Sequence, residues 1–418
     1  MDPAVKEERK KILAMIVSIG GSPTPVVKSI LEYKPEFVSF FASQDTSDQV
    51  MNIKAEVATG GDSIKSEMTI VDNVNDLLHC HGKAEEAVKR VLVRNYKNEE
   101  VIVDYTGGTK NMSVALSLAA IIHGFSFSYV GGEKRTKEGV GVVENGHEVI
   151  YSSVNPWDVL AVEERKKIMV LLNQYQFKAA KKLAEAILEK NTKQRSLYRA
   201  LVFLIEGYYK WDLFKHQEAR DSFRRARTDE WVQSDDAMMR SFARSTEKLQ
   251  SFLKKIADTG KRASLELIMD LYANAERRFE EGKIDDAILR LYRLVEMIAQ
   301  WRLLVLYGID ASNAAPDKIP EPLNAEFRKR YTAPSDGSIK LPQAAAFQVL
   351  LAFDDEAGKI FENQKKYFID IQSARNNSYL AHGFSSSGEN TYIKLRNFVL
   401  GLGIFNADDA PCFPKIAV

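Results

Sequence analysis

The chain has 418 residues, with 58 Lys and Arg against 57 Asp and Glu, 45% apolar and 10% aromatic residues. This composition can fill two or three packed cores and excludes disorder, collagen or coiled coil as a description of the whole chain. The formal net charge of +1 is unevenly spread, −5 over residues 1–160, +7 over 161–260 and −1 over the rest, and no segment is basic enough to grip duplex nucleic acid without specificity.

The N-terminus, Met1 to Lys11, mixes both charges and precedes only a short apolar run, which is not the layout of a signal peptide. Ile12 to Ile19 is β-branched and stops at Gly20-Gly21-Ser22-Pro23, a strand entering a tight turn. Val26 to Tyr33 has helical spacing, Phe37 to Phe41 and Met68 to Val71 read as strands, and Ala84 to Tyr96 as a helix. Val101 to Tyr105 is a further strand. It runs into Thr106-Gly107-Gly108-Thr109-Lys110, followed by an apolar helix, Met112 to Ile122, and a strand, Phe125 to Val130. Such alternation implies a mostly parallel sheet covered on both faces. Val140 to Glu144 and Glu148 to Tyr151 flank Asn145-Gly146, a hairpin signal that predicts an antiparallel edge.

Beyond Asn155-Pro156 the pattern is helical from Val159 to about Gly260 and again from Lys261 to Tyr307. A Pro-rich interruption, Pro316 to Pro342, reads as a loop; Ala344 to Leu380 and Tyr392 to Leu400 read as helix. Gly207, Ala219, Phe223 and Ala226 fall at tetratricopeptide spacing, but one match is not an array. The expected division is 1–155 α/β, 156–260 helical connector and 261–418 helical domain. The most hydrophobic stretch, Val114 to Ile122, is far short of the roughly 20 residues that cross a membrane.

Cys80 and Cys412 are too few for a disulfide framework or a Cys-rich zinc site. The six histidines do not cluster. The expectation is a cytoplasmic protein without a metal or organic cofactor. His79-Cys80-His81 reads as a helix or loop segment, and the Arg224-Arg225-Arg227 group as a solvated face.

Two segments carry chemistry. Asp104 to Asn111 places paired glycines, a Thr and a Lys between a strand end and a helix start, where the backbone can approach an anion and the open helix amides add donors. It matches neither the Walker loop nor the dinucleotide fingerprint; the plainer alternative is a turn that only joins strand to helix. Ser18 to Pro25 leaves another strand, and in open α/β sheets ligands collect at strand carboxyl ends, so both turns should face one pocket. Ser43-Gln44-Asp45 lies at the same rim, either to read a base edge or as a solvated loop.

The second segment is Arg375-Asn376-Asn377-Ser378-Tyr379-Leu380-Ala381-His382-Gly383. Seven helical steps bring Arg375 and His382 to nearly one face, about 10 Å apart along the axis. A guanidinium can stabilise phosphoryl charge and an imidazolium can protonate a leaving oxygen. The alternative is an Arg paired with Asp370 or Glu362 and a surface His. Arg293 and Glu296 are read as a structural ion pair.

The strand ending in Asp104-Tyr105, the T-G-G-T-K turn and Gly20-Gly21-Ser22 resemble the CRISPR-associated Rossmann fold, or CARF, domain over about residues 10–155. The R-N and A-H-G elements resemble the HEPN ribonuclease motif, over residues 261–418. The resemblance implies a Rossmann-like CARF domain, an all-α connector and an all-α HEPN domain, in a divergent branch with a helical insert. It further implies a homodimer that holds a cyclic oligoadenylate with Gly20, Gly21, Ser22, Thr24, Thr106, Gly107, Gly108, Thr109, Lys110 and Asn111. Single-stranded RNA would then be cut without metal by Arg375 and His382, with Asn376 beside them, in type III CRISPR defence. The rival expectation is a non-enzymatic nucleotide sensor that recruits a partner through its helical part. In a third, the sensor cleaves its own ligand, with Ser18, Ser22 or Thr106 positioned for it.

Overall fold

The computed structural model describes residues 11–61, 64–132, 147–154, 157–190, 194–259, 263–334, 337–376 and 388–416. The chain divides into two compact units, Met1–Lys166 with Leu183–Arg199, and Lys167–Lys182 with Ala200–Val418. The first holds a single six-stranded sheet; the second is helical.

In the first unit β1 (Ala14–Ser18), α1 (Thr24–Tyr33), β2 (Phe37–Ser43), α2 (Gln49–Thr59), β3 (Lys65–Val71), α3 (Leu77–Leu92), β4 (Val101–Asp104), α4 (Lys110–Ile121), β5 (Ser126–Gly132) and β6 (Glu148–Val154) follow in order. The strands are arranged β3-β2-β1-β4-β5-β6. All neighbours are parallel except β6, which runs antiparallel to β5.

Alternate residues of each inner strand point to opposite faces. Ala14, Ile16, Phe37, Phe41, Val101 and Val103 pack with residues of α3 and α4, while Met15, Val17, Val38, Phe40 and Ile102 pack with residues of α1 and α2. Burial on both faces is why β1 and β2 read as nearly continuous apolar runs, interrupted within β2 by Ser39, which donates to the Ala87 carbonyl at 3.0 Å.

Helix α2 was absent from the sequence expectation. Its buried Val50, Ile53 and Val57 have helical spacing but stand among polar neighbours. The antiparallel edge is present as β6 on β5; the expected partner strand Val140 to Glu144 and the Asn145-Gly146 turn lie outside the described residues.

Helices α5 (Trp157–Asn173), α6 (Phe177–Glu189), α7 (Arg195–Asp212), α8 (His216–Ala226), α9 (Thr228–Trp231) and α10 (Ala237–Thr259) make the middle of the chain. A Cβ on Gly207 would run into the ring of Phe223, so α7 and α8 approach closely there. The motif residues noted in sequence belong to this helix pair.

Next come α11 (Leu265–Glu280), α12 (Ile284–Tyr307), α13 (Leu323–Tyr331), α14 (Gln343–Ala352), α15 (Glu356–Asn363), α16 (Lys365–Asn376) and α17 (Glu389–Gly401). They share one core that includes Leu291, Leu294, Ile298, Phe347, Phe361, Phe368 and Phe398.

The Lys261 to Tyr307 section is helical as expected, in two helices separated at Gly282, whose φ of +73° is a conformation that favours glycine. Two other expectations are corrected. The Pro-rich interruption is not all loop: it contains α13, anchored by the buried Phe327. Ala344 to Leu380 is broken at Asp354, at φ +59°, and restarted by Asp355, whose side chain accepts from the amides of Ala357 and Gly358. The described part of that run ends with α16.

Candidate functional site

The order of the strands reverses between β1 and β4, which makes their carboxyl ends the switch point where open α/β sheets place ligands. Both Gly-rich turns leave the sheet there. They are interlocked: a Cβ on Gly107 would lie 2.5 Å from the Gly20 nitrogen and 2.5 Å from the Ser18 carbonyl oxygen, and one on Gly20 would lie 3.0 Å from the Gly108 nitrogen. The Ser18 hydroxyl donates to the Gly107 carbonyl at 2.7 Å, and Ser113 from α4 donates to the same oxygen at 3.1 Å. Gly108 has φ +82°.

The buried Asp104 closes the base of this turn pair. One carboxylate oxygen accepts from the Thr106 amide at 2.9 Å and from the Thr106 hydroxyl. The other accepts from Ser29 at 2.5 Å and Ser128 at 3.2 Å. Burial raises the Asp104 pKa from the ordinary carboxylate value, and these hydrogen bonds oppose the rise. Thr106 Oγ1 also accepts from the Val130 amide at 2.8 Å. Its hydroxyl is therefore engaged twice inside the protein, and holds the turn in shape.

The outer surface of the turn is different. Gly108, Thr109 and Lys110 are exposed. Thr109 caps α4, its hydroxyl oxygen accepting from the Met112 amide at 3.3 Å, and the first amides of that helix carry its positive dipole end. Lys110 has no hydrogen bond or ion pair among the described residues. Asn111 donates through Nδ2 to the Val74 carbonyl at 3.1 Å. Gly21 and Ser22 are exposed, and a Cβ on Gly21 would touch nothing. Thr24 opens α1 and lines a shallow groove of about 380 Å³ with Lys28, Glu32 and Glu56.

Ser43 ends β2 and Gln44 to Thr46, with Asp45 between them, form one 3₁₀ turn, which Thr46 ties to the first turn by donating to the Ile19 carbonyl at 3.3 Å. Sequence reasoning named Asp104 as part of the motif without a role and missed Ser29, Ser113 and Ser128. Single serines in helices and strands carry no such signal; only their convergence on Asp104 and Gly107 reveals them.

At the other candidate site, Arg375 and Asn376 occupy the last two positions of α16, and Asn377 to Gly383, including His382, lie outside the described residues. The helices on either side of that segment are firmly held. Phe368 of α16 packs on Phe398 of α17 with ring centroids 5.0 Å apart, and Gln372 donates to the Tyr292 hydroxyl of α12 at 2.8 Å. Tyr392 and Arg396 of α17 both donate to Glu276 of α11, the latter at 2.9 Å. Burial and the Glu276 carboxylate together raise the Tyr392 pKa.

Glu362, one carboxylate considered as a partner for Arg375, pairs with Lys365 at 3.1 Å. Arg293 pairs with Glu296 at 3.1 Å. Arg224 pairs with Asp221 at 3.3 Å, Arg225 lies over the Phe203 ring and Arg227 pairs with Glu230. His79 bonds Asp72 at 2.6 Å. Among the described residues no group of three or more His, Cys, Asp or Glu is placed to hold a metal ion, and no helix is long and apolar enough to cross a membrane.

Residues 256–406 match the family model of the Csm6 HEPN domain and residues 160–253 that of the Csm6 6H domain. The helical section between the sheet-bearing region and the HEPN match therefore corresponds to a domain with its own family model. Among solved structures, Csm6 of Enterococcus italicus bound to cyclic hexa-2′-fluoro-hexa-dAMP superposes with a TM-score of 0.59 at 14% identity, over 94% of this chain and 93% of that one. This establishes the shared fold. Can2 from Sulfobacillus thermosulfidooxidans in complex with cyclic tetra-adenylate matches at a TM-score of 0.25 and 11% identity, over 50% of this chain and 67% of that one. No curated protein matches the sequence.

Proposed function

The chain belongs to the Csm6-type CARF–HEPN CRISPR effectors, and from that premise we propose that it is an endoribonuclease switched on by a cyclic oligoadenylate held at the interlocked turns. The observation that carries this reading is the contact of Gly107 with Gly20 and Ser18, which leaves an exposed ledge of Gly108, Thr109 and Lys110 at the start of α4. Backbone amides and a lysine on such a ledge suit a phosphodiester. The Asp104 network beneath it supplies rigidity, so the donors need little reordering when the anion arrives.

A ring of phosphates has rotational symmetry, and a homodimer can present two ledges to it. We assign the sensor to residues 1–155, the connector to 156–260 and the nuclease to 261–418. In the nuclease, the ribose 2′-hydroxyl of single-stranded RNA gives its proton to a base and attacks the adjacent phosphorus, and the bond to the 5′-oxygen breaks to leave a 2′,3′-cyclic phosphate and a 5′-hydroxyl. Arg375 stabilises the charge that develops on the phosphoryl oxygens, His382 protonates the leaving oxygen, and Asn376 helps orient the strand. The segment that carries them joins two helices, each fixed to the α11–α12 pair by hydrogen bonds.

The test is cleavage of labelled single-stranded RNA in the presence of a chelator, with cyclic tetra-adenylate and cyclic hexa-adenylate added separately. Cutting that appears only with one of the rings, and disappears in Arg375→Ala and His382→Ala while ring affinity is kept, is the expected result. Ring binding without cutting of any RNA overturns the nuclease reading in favour of a sensor that recruits a partner. Undiminished cutting by either variant overturns the residue assignment.

A further inference from the structure

Three tyrosines line up across the sheet beside the candidate cradle. Tyr105 immediately precedes Thr106, Tyr129 is on β5, and Tyr151 on β6 is directly opposite Tyr129 in the antiparallel register. The ring centroids of Tyr105 and Tyr129 are 5.7 Å apart and those of Tyr129 and Tyr151 6.4 Å, each pair with planes inclined by 26°. The row becomes more open outward: Tyr105 and Tyr129 are half-buried and Tyr151 is 50% exposed.

A cross-strand tyrosine pair steadies an edge strand, and that role alone would accept any direction of lean. The direction here is specific. A Cβ on Gly131 would lie 2.7 Å from Tyr151 Cε2 and 3.1 Å from Tyr129 Cε1, so both rings lean over Gly131, two residues further along β5. Strand β5 runs parallel to β4, whose carboxyl end carries the turn. The tyrosines thus lean towards the same end of the sheet as the exposed Lys110. Adjacent strands are about 4.8 Å apart, so the row begins at the turn and reaches roughly 10 Å from it, a span suited to a base attached through its ribose to a phosphate on the ledge.

The geometry points to a base-stacking shelf: Tyr151 and Tyr129, backed by Tyr105, take the face of an adenine from the ring whose phosphate sits at Thr109 and Lys110. Aromatic side chains bind bases through their π-faces without reading sequence. The shelf therefore selects for a nucleotide ring over a plain polyanion, a task the amides and the lysine do not perform. This inference rests on the proposed activator.

The test uses the full-length protein and cyclic tetra- and hexa-adenylate, each in a form with one adenine replaced by 2-aminopurine, whose fluorescence is quenched by stacking. Tyr151→Ala is expected to weaken binding roughly 5- to 150-fold and to remove the quenching, with only a small fall in melting temperature because a half-exposed cross-strand ring supplies little of the sheet's stability. Tyr151→Phe keeps the π-face and should retain both. Lys110→Ala serves as the cradle control. If Lys110→Ala weakens binding while Tyr151→Ala leaves affinity and quenching intact, the shelf is refuted and the cradle stands. If neither variant weakens binding, the activator reading itself fails and the shelf falls with it. A change in dimer mass for Tyr151→Ala at unaltered ring affinity also overturns the shelf, by showing that the ring seats a second copy.

Discussion

Replacing Gly107 by Ala tests the interlocked turns most directly. The new Cβ would lie 2.5 Å from both the Gly20 nitrogen and the Ser18 oxygen, and both are backbone atoms that cannot rotate away. Ordinary contact needs about 3.5 Å, so the turns must separate by roughly 1 Å. Overpacking of this kind costs about 1–3 kcal/mol. The separation also breaks the 2.7 Å hydrogen bond from Ser18 to the Gly107 carbonyl, a net loss of about 1 kcal/mol. The sum, about 2–4 kcal/mol, corresponds to a fall of roughly 4–16 °C in the melting transition of the unit that holds the sheet. Gly21→Ala is the matched control, since a Cβ there meets nothing within 4 Å and its melting should shift by less than about 2 °C. Melting by scanning calorimetry and affinity for cyclic hexa-adenylate by titration are measured on both variants. Gly107→Ala should lose stability and at least tenfold in affinity together. On the proposed binding mode, Gly21→Ala should change affinity alone, because its edge is exposed. A Gly107→Ala protein that melts and binds like the parent would refute the claim that this contact shapes the cradle.

Other consequences concern charge and capping. Burial raises the Asp104 pKa, so the folded protein holds that proton more tightly than the unfolded chain and this group's contribution to stability declines as pH rises from about 4 towards and through the raised value. Asp104→Asn removes that slope: urea titrations between about pH 4 and pH 7 should show the variant gaining on the parent as pH rises, and a constant difference would contradict the shift. Asp355 is buried, caps α15 and receives Arg302 at 2.6 Å; Asp355→Ala should destabilise the helical unit by about 3–5 kcal/mol, read by denaturant melting, and a loss below about 1 kcal/mol would refute the network. Lys110 is exposed, so Lys110→Ala should leave melting unchanged while raising the activator concentration needed for half-maximal cleavage, with the gap narrowing in high salt; an unaltered dose dependence counts against the ledge.

The parts of the fold that the sequence makes plain are those where one physical requirement governs a run of residues. Strands β1, β2 and β4 are buried on both faces, so nearly every position must be apolar. Gly107 and Gly108 are legible for the same reason: at Gly107 no side chain fits, and at Gly108 the positive φ favours glycine. Helix α2 escaped because three buried residues among polar neighbours make a thin signal, and α13 because one buried Phe327 makes none. The turn sequence marks where a ligand could sit, but not the inward engagement of Thr106 or the burial of Asp104. Aspartate is usually exposed, and only three-dimensional convergence of Ser29, Thr106 and Ser128 makes its burial tolerable. Likewise, Arg375 and Asn376 are legible as a motif, whereas Gln372, Tyr292 and Glu276, which fix the neighbouring helices, look like ordinary polar helix residues.

A rigid cradle raises a question about activation that bears on the proposed dimer. Moving a two-state population from 1:99 to 99:1 requires the ligand to favour one state by about 5.5 kcal/mol, and tight binding to a feature common to both states shifts nothing. The Asp104 network, the Ser18 and Ser113 bonds to Gly107 and the Thr109 cap all brace the turn from within one chain, so its own shape is poorly suited to supply the difference. What a stiff ledge can convert into differential affinity is its placement against a second stiff ledge. A ring that reaches both contacts in one arrangement, and only one of them in another, gains the charge-assisted bonds of a whole cradle, at about 1.5–3 kcal/mol each, in the favoured state alone. About two to four such bonds meet the requirement, which makes the rigidity of each protomer the condition for switching the pair.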